Sequence, residues 1–89
     1  MVNNIELYGF LHGGWHRTEI ITDGQNQVIY QGKCTGNQNV ASPVWCIKKT
    51  TITVVNQVET IVEQFADGNM LYDNIWNNRA SLTYKYANK

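Results

Sequence analysis

Apolar residues in this chain recur mostly at every second position, in short runs broken by turn-forming residues. Between Val28 and Cys34, the residues Val28, Tyr30 and Cys34 share one parity, while Gln31 and Lys33 share the other. Successive side chains of a strand point to opposite faces, so this run reads as a strand with a defined inward face. Ser81 to Tyr86 repeats the pattern, with Leu82, Tyr84 and Tyr86 set against Thr83 and Lys85. Trp15 to Thr22 is rich in Thr, Ile and Trp, which favour extended backbone. Ile5 to Leu11 alternates more weakly. The runs stop at Gly13-Gly14, at Asp23-Gly24 and at Ala66-Asp67-Gly68-Asn69, where glycine supplies the positive φ of a tight turn. Asp23-Gly24 marks a hairpin, with Gln25-Asn26-Gln27 extending its loop.

The longest extended run is Val44 to Val55. Trp45 and Ile47 lie on one parity, and Ile52 and Val54 on the other. A bulge at Lys48-Lys49-Thr50-Thr51 would bring both pairs to one face. Thr35 to Pro43 reads as a long polar loop, a length that is often functional. Val58 to Phe65 supports two readings. Val58, Ile61, Val62 and Phe65 have helical spacing, and Asn56 with Glu59 mimics a capping box. The density of β-branched residues, with Asn56-Gln57 placed like a hairpin turn, supports a strand instead. Met70 to Ala80 carries Leu71 with Ile75 and Tyr72 with Trp76, which suits one or two helical turns or a folded loop.

With 89 residues the chain is one domain, 1–89, of modest free-standing stability. Charged residues are 16%, against about 25% in an average globular protein, and amides replace them: eleven Asn and six Gln. A surface of amides needs little charge desolvation when another protein approaches. The formal net charge is zero, so the clustered basic footprint of a nucleic-acid binder is missing. No apolar run reaches the roughly 18–20 residues of a membrane helix. The first residues lack the pattern of a secretory signal, so synthesis in a cytoplasm is expected, with Cys34 and Cys46 as thiols.

Candidate chemistry is sparse. His12 and His16 are four apart, but Gly13-Gly14 between them forbids the helix that would make them a metal pair. Neither cysteine sits before a helix or among positive charges that would activate it as a nucleophile. Glu59 and Glu63 read as solvated face residues, and neither Gly13-Gly14 nor Asp23-Gly24 has the lysine of a phosphate loop. The expectation is therefore no catalytic residue, no cofactor and no metal. Trp45, Tyr30 and Tyr84 read as core. Trp15 and His16, next to Gly-Gly, read as an exposed tip, so the contact candidates are Trp15, His16, Arg17 and the loop residues Asn37, Gln38 and Asn39.

Two stretches carry a resemblance. They are Val44-Trp45-Cys46-Ile47-Lys48-Lys49-Thr50, and Phe65-Ala66-Asp67-Gly68-Asn69 followed by Tyr72 to Tyr84 with its Trp76-Asn77-Asn78-Arg79-Ala80-Ser81-Leu82-Thr83-Tyr84 finish. Over roughly the C-terminal half, the chain resembles short structural proteins of tailed bacteriophages. The resemblance implies a virion location, with other virion proteins and copies of the chain itself as partners, and it turns Val58 to Phe65 to a strand. The fold expected is all-β: a small antiparallel β-sandwich or barrel of about six or seven strands, with one short helical segment near residues 70–78. Trp76 is expected to roof the core, with Asp73 and Arg79 paired across the loop. The alternative function is a module that binds a host-surface glycan through aromatics and amides, built on the same fold.

Overall fold

A computed structural model of the protein describes residues 15–35 and 39–87. Within them the chain is all-β. Four strands follow one another as an antiparallel meander: β1 (Arg17–Asp23), β2 (Asn26–Lys33), β3 (Pro43–Val55) and β4 (Val58–Ala66). A two-residue strand β5 (Asn74–Ile75) pairs with the start of β3, and a two-residue strand β6 (Tyr84–Lys85) pairs with the end of β4. Between these two lies a 3₁₀ helix, Trp76–Ser81. The sheet order is β1-β2-β3-β4-β6. The expected strand at Ile5–Leu11 lies outside the described residues, as do His12 and Gly13-Gly14. No described helix is long and apolar enough to cross a membrane.

Turn chemistry sets the meander. At the β1–β2 turn, Gly24 takes φ +61° and Gln25 does not follow it to positive φ, as a type II′ turn requires. Asp23 pairs directly with Asn26, so the turn is two residues long and the longer loop read from Gln25-Asn26-Gln27 does not form. Asn26 Oδ1 instead accepts a hydrogen bond from the Val54 N–H, at 3.0 Å. At the β3–β4 turn, Asn56 and Gln57 both have positive φ, 51° and 65°, the type I′ signature. The turn resolves Val58–Ala66 as strand, in continuous register with β3 from Val58↔Val55 to Phe65↔Lys48. A left-handed Gln57 is strained where glycine is at ease. Gln57→Gly is expected to raise stability by roughly 0.5 kcal/mol, net of the extra entropy of an unfolded glycine, measured by urea denaturation.

The register sorts the side chains onto two faces. One face carries Tyr30 and Gly32 of β2, Trp45 and Ile47 of β3, Ala66 of β4 and Tyr84 of β6. The 3₁₀ helix packs on this side through Trp76, and Cys34, Val40, Val44 and Leu82 complete the cluster. The opposite face carries Thr18 and Ile20, Ile29 and Gln31, Cys46, Lys48, Thr50 and Ile52, then Ile61, Glu63 and Phe65. Lys48 and Lys49 therefore diverge. Lys48 meets Glu63 at 3.2 Å on the second face, and Lys49 stands 5.5 Å over the Tyr84 ring on the first.

Two expectations change. Lys48 to Thr51 pair continuously with both neighbours, so no bulge forms there, and Ile52 stays on the face opposite Trp45. The irregularity in β3 falls earlier, between Pro43 and Trp45, where it meets β5. The helical segment begins at Trp76, because Asn74 and Ile75 are held extended against β3. Cys34 and Cys46 are free thiols, as expected: Cys46 shares its face with Lys33, whereas Cys34 joins the Tyr30–Trp45 cluster on the other side.

Gln31, 1% exposed, carries a polar load: among the described residues neither its Oε1 nor its Nε2 has a hydrogen-bond partner, and neither does the Oγ1 of its cross-strand neighbour Thr18. Buried unpaired amide atoms cost about 1–3 kcal/mol. Gln31→Met keeps the shape and removes those atoms, and an increase in stability of about 1 kcal/mol is expected in the same denaturation assay.

Candidate functional site

Trp76 organises one end of the molecule. Only glycine at position 32 lets its ring lie on β2, because a Cβ there would stand 2.6 Å from Trp76 Cε3. The ring is 4% exposed and packs tilted on Trp45, centroids 5.8 Å apart. Trp45 is itself anchored, its indole N–H donating to the Asn39 carbonyl at 3.0 Å. Two guanidinium groups stand at the Trp76 ring, Arg79 at 4.8 Å and Arg17 at 5.8 Å from its centroid, and both contacts are of the cation–π kind.

Arg79 is the clamp. Its Nε and Nη2 donate to Glu19 Oε1 and Oε2 at 2.9 and 2.8 Å, a two-pronged pair joining the 3₁₀ helix to β1. Its Nη1 donates to the Trp76 carbonyl, and its own carbonyl accepts from the Tyr84 hydroxyl at 2.8 Å. Burial, with Tyr30 alongside, pushes the Tyr84 phenol far above its ordinary range, so Tyr84 stays a donor at neutral pH. The Asp73–Arg79 pair expected from sequence does not form. Asp73 Oδ1 instead accepts from the Asn74 side chain, while Arg79 reaches sixty positions back to Glu19.

Hydrogen bonding from Arg79 holds the Glu19 carboxyl below its ordinary value of 4.5. Its contribution is therefore full above that value and is lost as pH falls through the lower, folded one. The carboxylate is 38% exposed, so solvent screening keeps the contribution small. Glu19→Gln is expected to lower stability by roughly 0.5–1 kcal/mol at pH 7 and to have almost no effect near pH 2, when chemical denaturation is compared at the two pH values.

The contact candidates read from the sequence fall in separate places. His16 is fixed by backbone: its N–H donates to the Gly32 carbonyl at 2.9 Å, and its Nδ1 accepts from the Cys34 N–H at 3.0 Å, which puts the proton of the neutral ring on Nε2. His16 and Arg17 line a cleft of about 360 Å³ with Thr18, Glu19, Trp76 and Arg79. Trp15 lies elsewhere, with the ammonium groups of Lys33 and Lys48 at 4.8 and 4.9 Å from its ring centroid, so a stacking sugar would compete with two cations. Asn39 works as a turn residue, its Oδ1 accepting from the Ala41 N–H at 2.8 Å. Asn37 and Gln38 lie outside the described residues. No family model, curated protein or solved structure matches this chain.

The other end of the sheet, formed by the two hairpin turns, presents apolar side chains that the sequence reading did not single out. Ile20 and Ile21 are 45% and 47% exposed, Val55 and Val58 60% and 63%, and Ile61 56%. The register puts Ile21, Val55 and Val58 on the Trp76 side and Ile20 and Ile61 on the other. Their signal was in the sequence: Ile20-Ile21 and Val54-Val55 lie within two residues of the turns and occupy both parities at once. A sheet buried on one face only does not need that. Among the described residues, no three of His, Cys, Asp and Glu converge, and burial pushes the Cys46 thiol up, away from the reactive thiolate.

Proposed function

We propose that this chain is a non-catalytic structural protein of a bacteriophage virion, an accessory component of the tail, neck or capsid surface present in multiple copies. The observation that carries the contact role is the turn end of the sheet, where Ile20, Ile21, Val55, Val58 and Ile61 lie open on both faces. An exposed apolar patch on a small domain with few charges is the physical signature of a surface awaiting a protein partner. The virion setting comes from the Trp45-Cys46-Ile47-Lys48-Lys49 strand, the Ala66-Asp67-Gly68 turn and the Trp76 to Tyr84 finish. The partners are other virion proteins and further copies of the chain.

The test is direct. Purified particles of the phage that encodes the chain are examined by peptide mass spectrometry and by labelling with an antibody to the chain. Particles made without it are then incubated with the pure protein and sedimented. Retention of the wild-type chain, and its loss in a folded Val55→Ser/Val58→Ser/Ile61→Ser variant, is the expected result. Absence of the chain from purified particles would overturn the proposal.

A further inference from the structure

Among the described strands, β1 is one outer edge of the sheet. It pairs with β2 on one side, and no described strand pairs with the other. An unpaired edge is a template for another strand unless charge, proline or a bulge blocks it. Arg17-Thr18-Glu19-Ile20-Ile21-Thr22-Asp23 has no proline, keeps an unbroken register with β2 and carries one charge at each end, with Glu19 between them already held by Arg79.

The hairpin decides which backbone groups face outward. In a two-residue hairpin the residues flanking the turn exchange both hydrogen bonds, and pairs then alternate along the ladder. Asp23 and Asn26 flank the turn here, so Asp23, Ile21, Glu19 and Arg17 spend their N–H and C=O on β2. The N–H and C=O groups of Thr18, Ile20 and Thr22 point to the open side.

From this geometry we infer that the open edge of β1 receives β1 of a second copy of this chain, antiparallel and centred on Ile20. That register is self-complementary. Ile20 meets Ile20, and Thr18 meets Thr22, each pair using the outward backbone groups. Arg17 meets Asp23, and by the two-fold symmetry Asp23 meets Arg17. Neither residue has an ion-pair partner among the described residues: Arg17 lies over the Trp76 ring, and Asp23 borders the turn. On the Ile20 face the contact is Ile20 flanked by Thr18 and Thr22, and a lone Ile20, 45% exposed, gains a partner. Slipping the register by two residues loses the Arg–Asp match, and a slip by one puts side chains on the wrong faces. The pairing is two-fold and consumes the β1 edge of both copies; the far edge of each sheet, where β6 covers only Phe65 and Ala66 of β4, takes no part in it. The inference deepens the assembly reading and rests on it for its setting: the dimer would be the unit supplied to the particle.

The test uses the full chain in sedimentation equilibrium up to about 0.5 mM, a range suited to a contact of one strand per copy. The wild type is expected to approach twice its 10.2 kDa mass, with the dissociation constant rising with salt. Asp23→Arg sets Arg against Arg and is expected to weaken the dimer about tenfold or more, and Arg17→Asp does the same with Asp against Asp. Mixed together, the two variants form only Arg–Asp contacts, so a heterodimer at wild-type affinity is expected. The Arg17→Asp/Asp23→Arg double variant is likewise expected to recover. Circular dichroism confirms that each variant is folded. If Arg17→Asp fails to fold through its loss at Trp76, Asp23→Arg alone and Ile20→Pro, which removes an outward N–H and no β1–β2 hydrogen bond, remain as readouts. A wild type monomeric throughout the range, or a dimer indifferent to Asp23→Arg and Ile20→Pro, would overturn the inference. A monomer that still sediments with particles would leave the virion reading intact, and a dimer absent from particles would do the reverse.

Discussion

Trp76→Ala is expected to lower the thermal midpoint of this protein by about 20 °C, through the loss of about 3–5 kcal/mol of stability. The ring is almost fully buried between Trp45 and the bare backbone of Gly32, with Arg17 and Arg79 against it. Removing it strips the largest apolar body from the segment that packs on the sheet. The space left cannot collapse, because two rigid elements bound it: β2 below, and the helix tied to β1 by the Arg79–Glu19 pair. Total stability for a domain of this size lies toward the lower part of the usual 5–15 kcal/mol, so the loss consumes much of it. The check is a calorimetric or circular-dichroism melt, with Tyr84→Phe as the mild comparison, since that change removes one hydrogen bond from the same end. A Trp76→Ala midpoint within about 5 °C of wild type would mean that the helix is an ornament on a sheet that stands without it.

How far the chain could be read in advance follows from what parity can and cannot encode. The inward face of β2 is legible because Val28, Tyr30 and Cys34 stand against Gln31 and Lys33, and the divergence of Lys48 and Lys49 follows from the same rule. Asp23-Gly24 announces its hairpin, although the turn closes one pair tighter than the amide run suggests. Parity fails at β3, whose apolar residues change sides along its length. Trp45 and Ile47 face the 3₁₀ helix at one end, while Ile52 faces the other way toward Ile61. A bulge is the economical guess when one covered face is assumed, but a central strand with both faces in use needs none.

The site residues were legible only in part, for a related reason. His16 and Arg17 do line the cleft, yet the cleft is made by Glu19 and Arg79, sixty positions apart, and local spacing offered Arg79 a nearer acid in Asp73. A guanidinium chooses the carboxylate that its fork can reach in the folded chain, and chain distance does not enter. The open apolar residues at the turns left a trace that could have been read, because Ile20-Ile21 and Val54-Val55 put β-branched residues on both parities where a half-buried hairpin would alternate. Gly32 left none. Inside a strand a glycine reads as a weakness until the side chain that needs the gap is known.

Gly32→Ala measures that need. Alanine is better than glycine in a strand interior by roughly 0.5–1 kcal/mol, so with nothing above it the substitution would stabilise. Here the new Cβ would stand 2.6 and 2.7 Å from two atoms of the Trp76 ring and 3.1 Å from Trp45 Cε3. The first two distances are shorter than carbon atoms tolerate, and neither ring is a flexible chain end that can swing aside. Overpacking of this kind costs about 1–3 kcal/mol, and a net loss of about 2 kcal/mol is expected in urea denaturation. The origin of the loss is testable by a double-mutant cycle. In a Trp76→Leu background two of the three close atoms are gone, and Gly32→Ala is expected to become nearly neutral, which gives a coupling of about 2 kcal/mol between positions 32 and 76. Equal costs in the two backgrounds would place the strain elsewhere and would separate the glycine from the tryptophan that covers it.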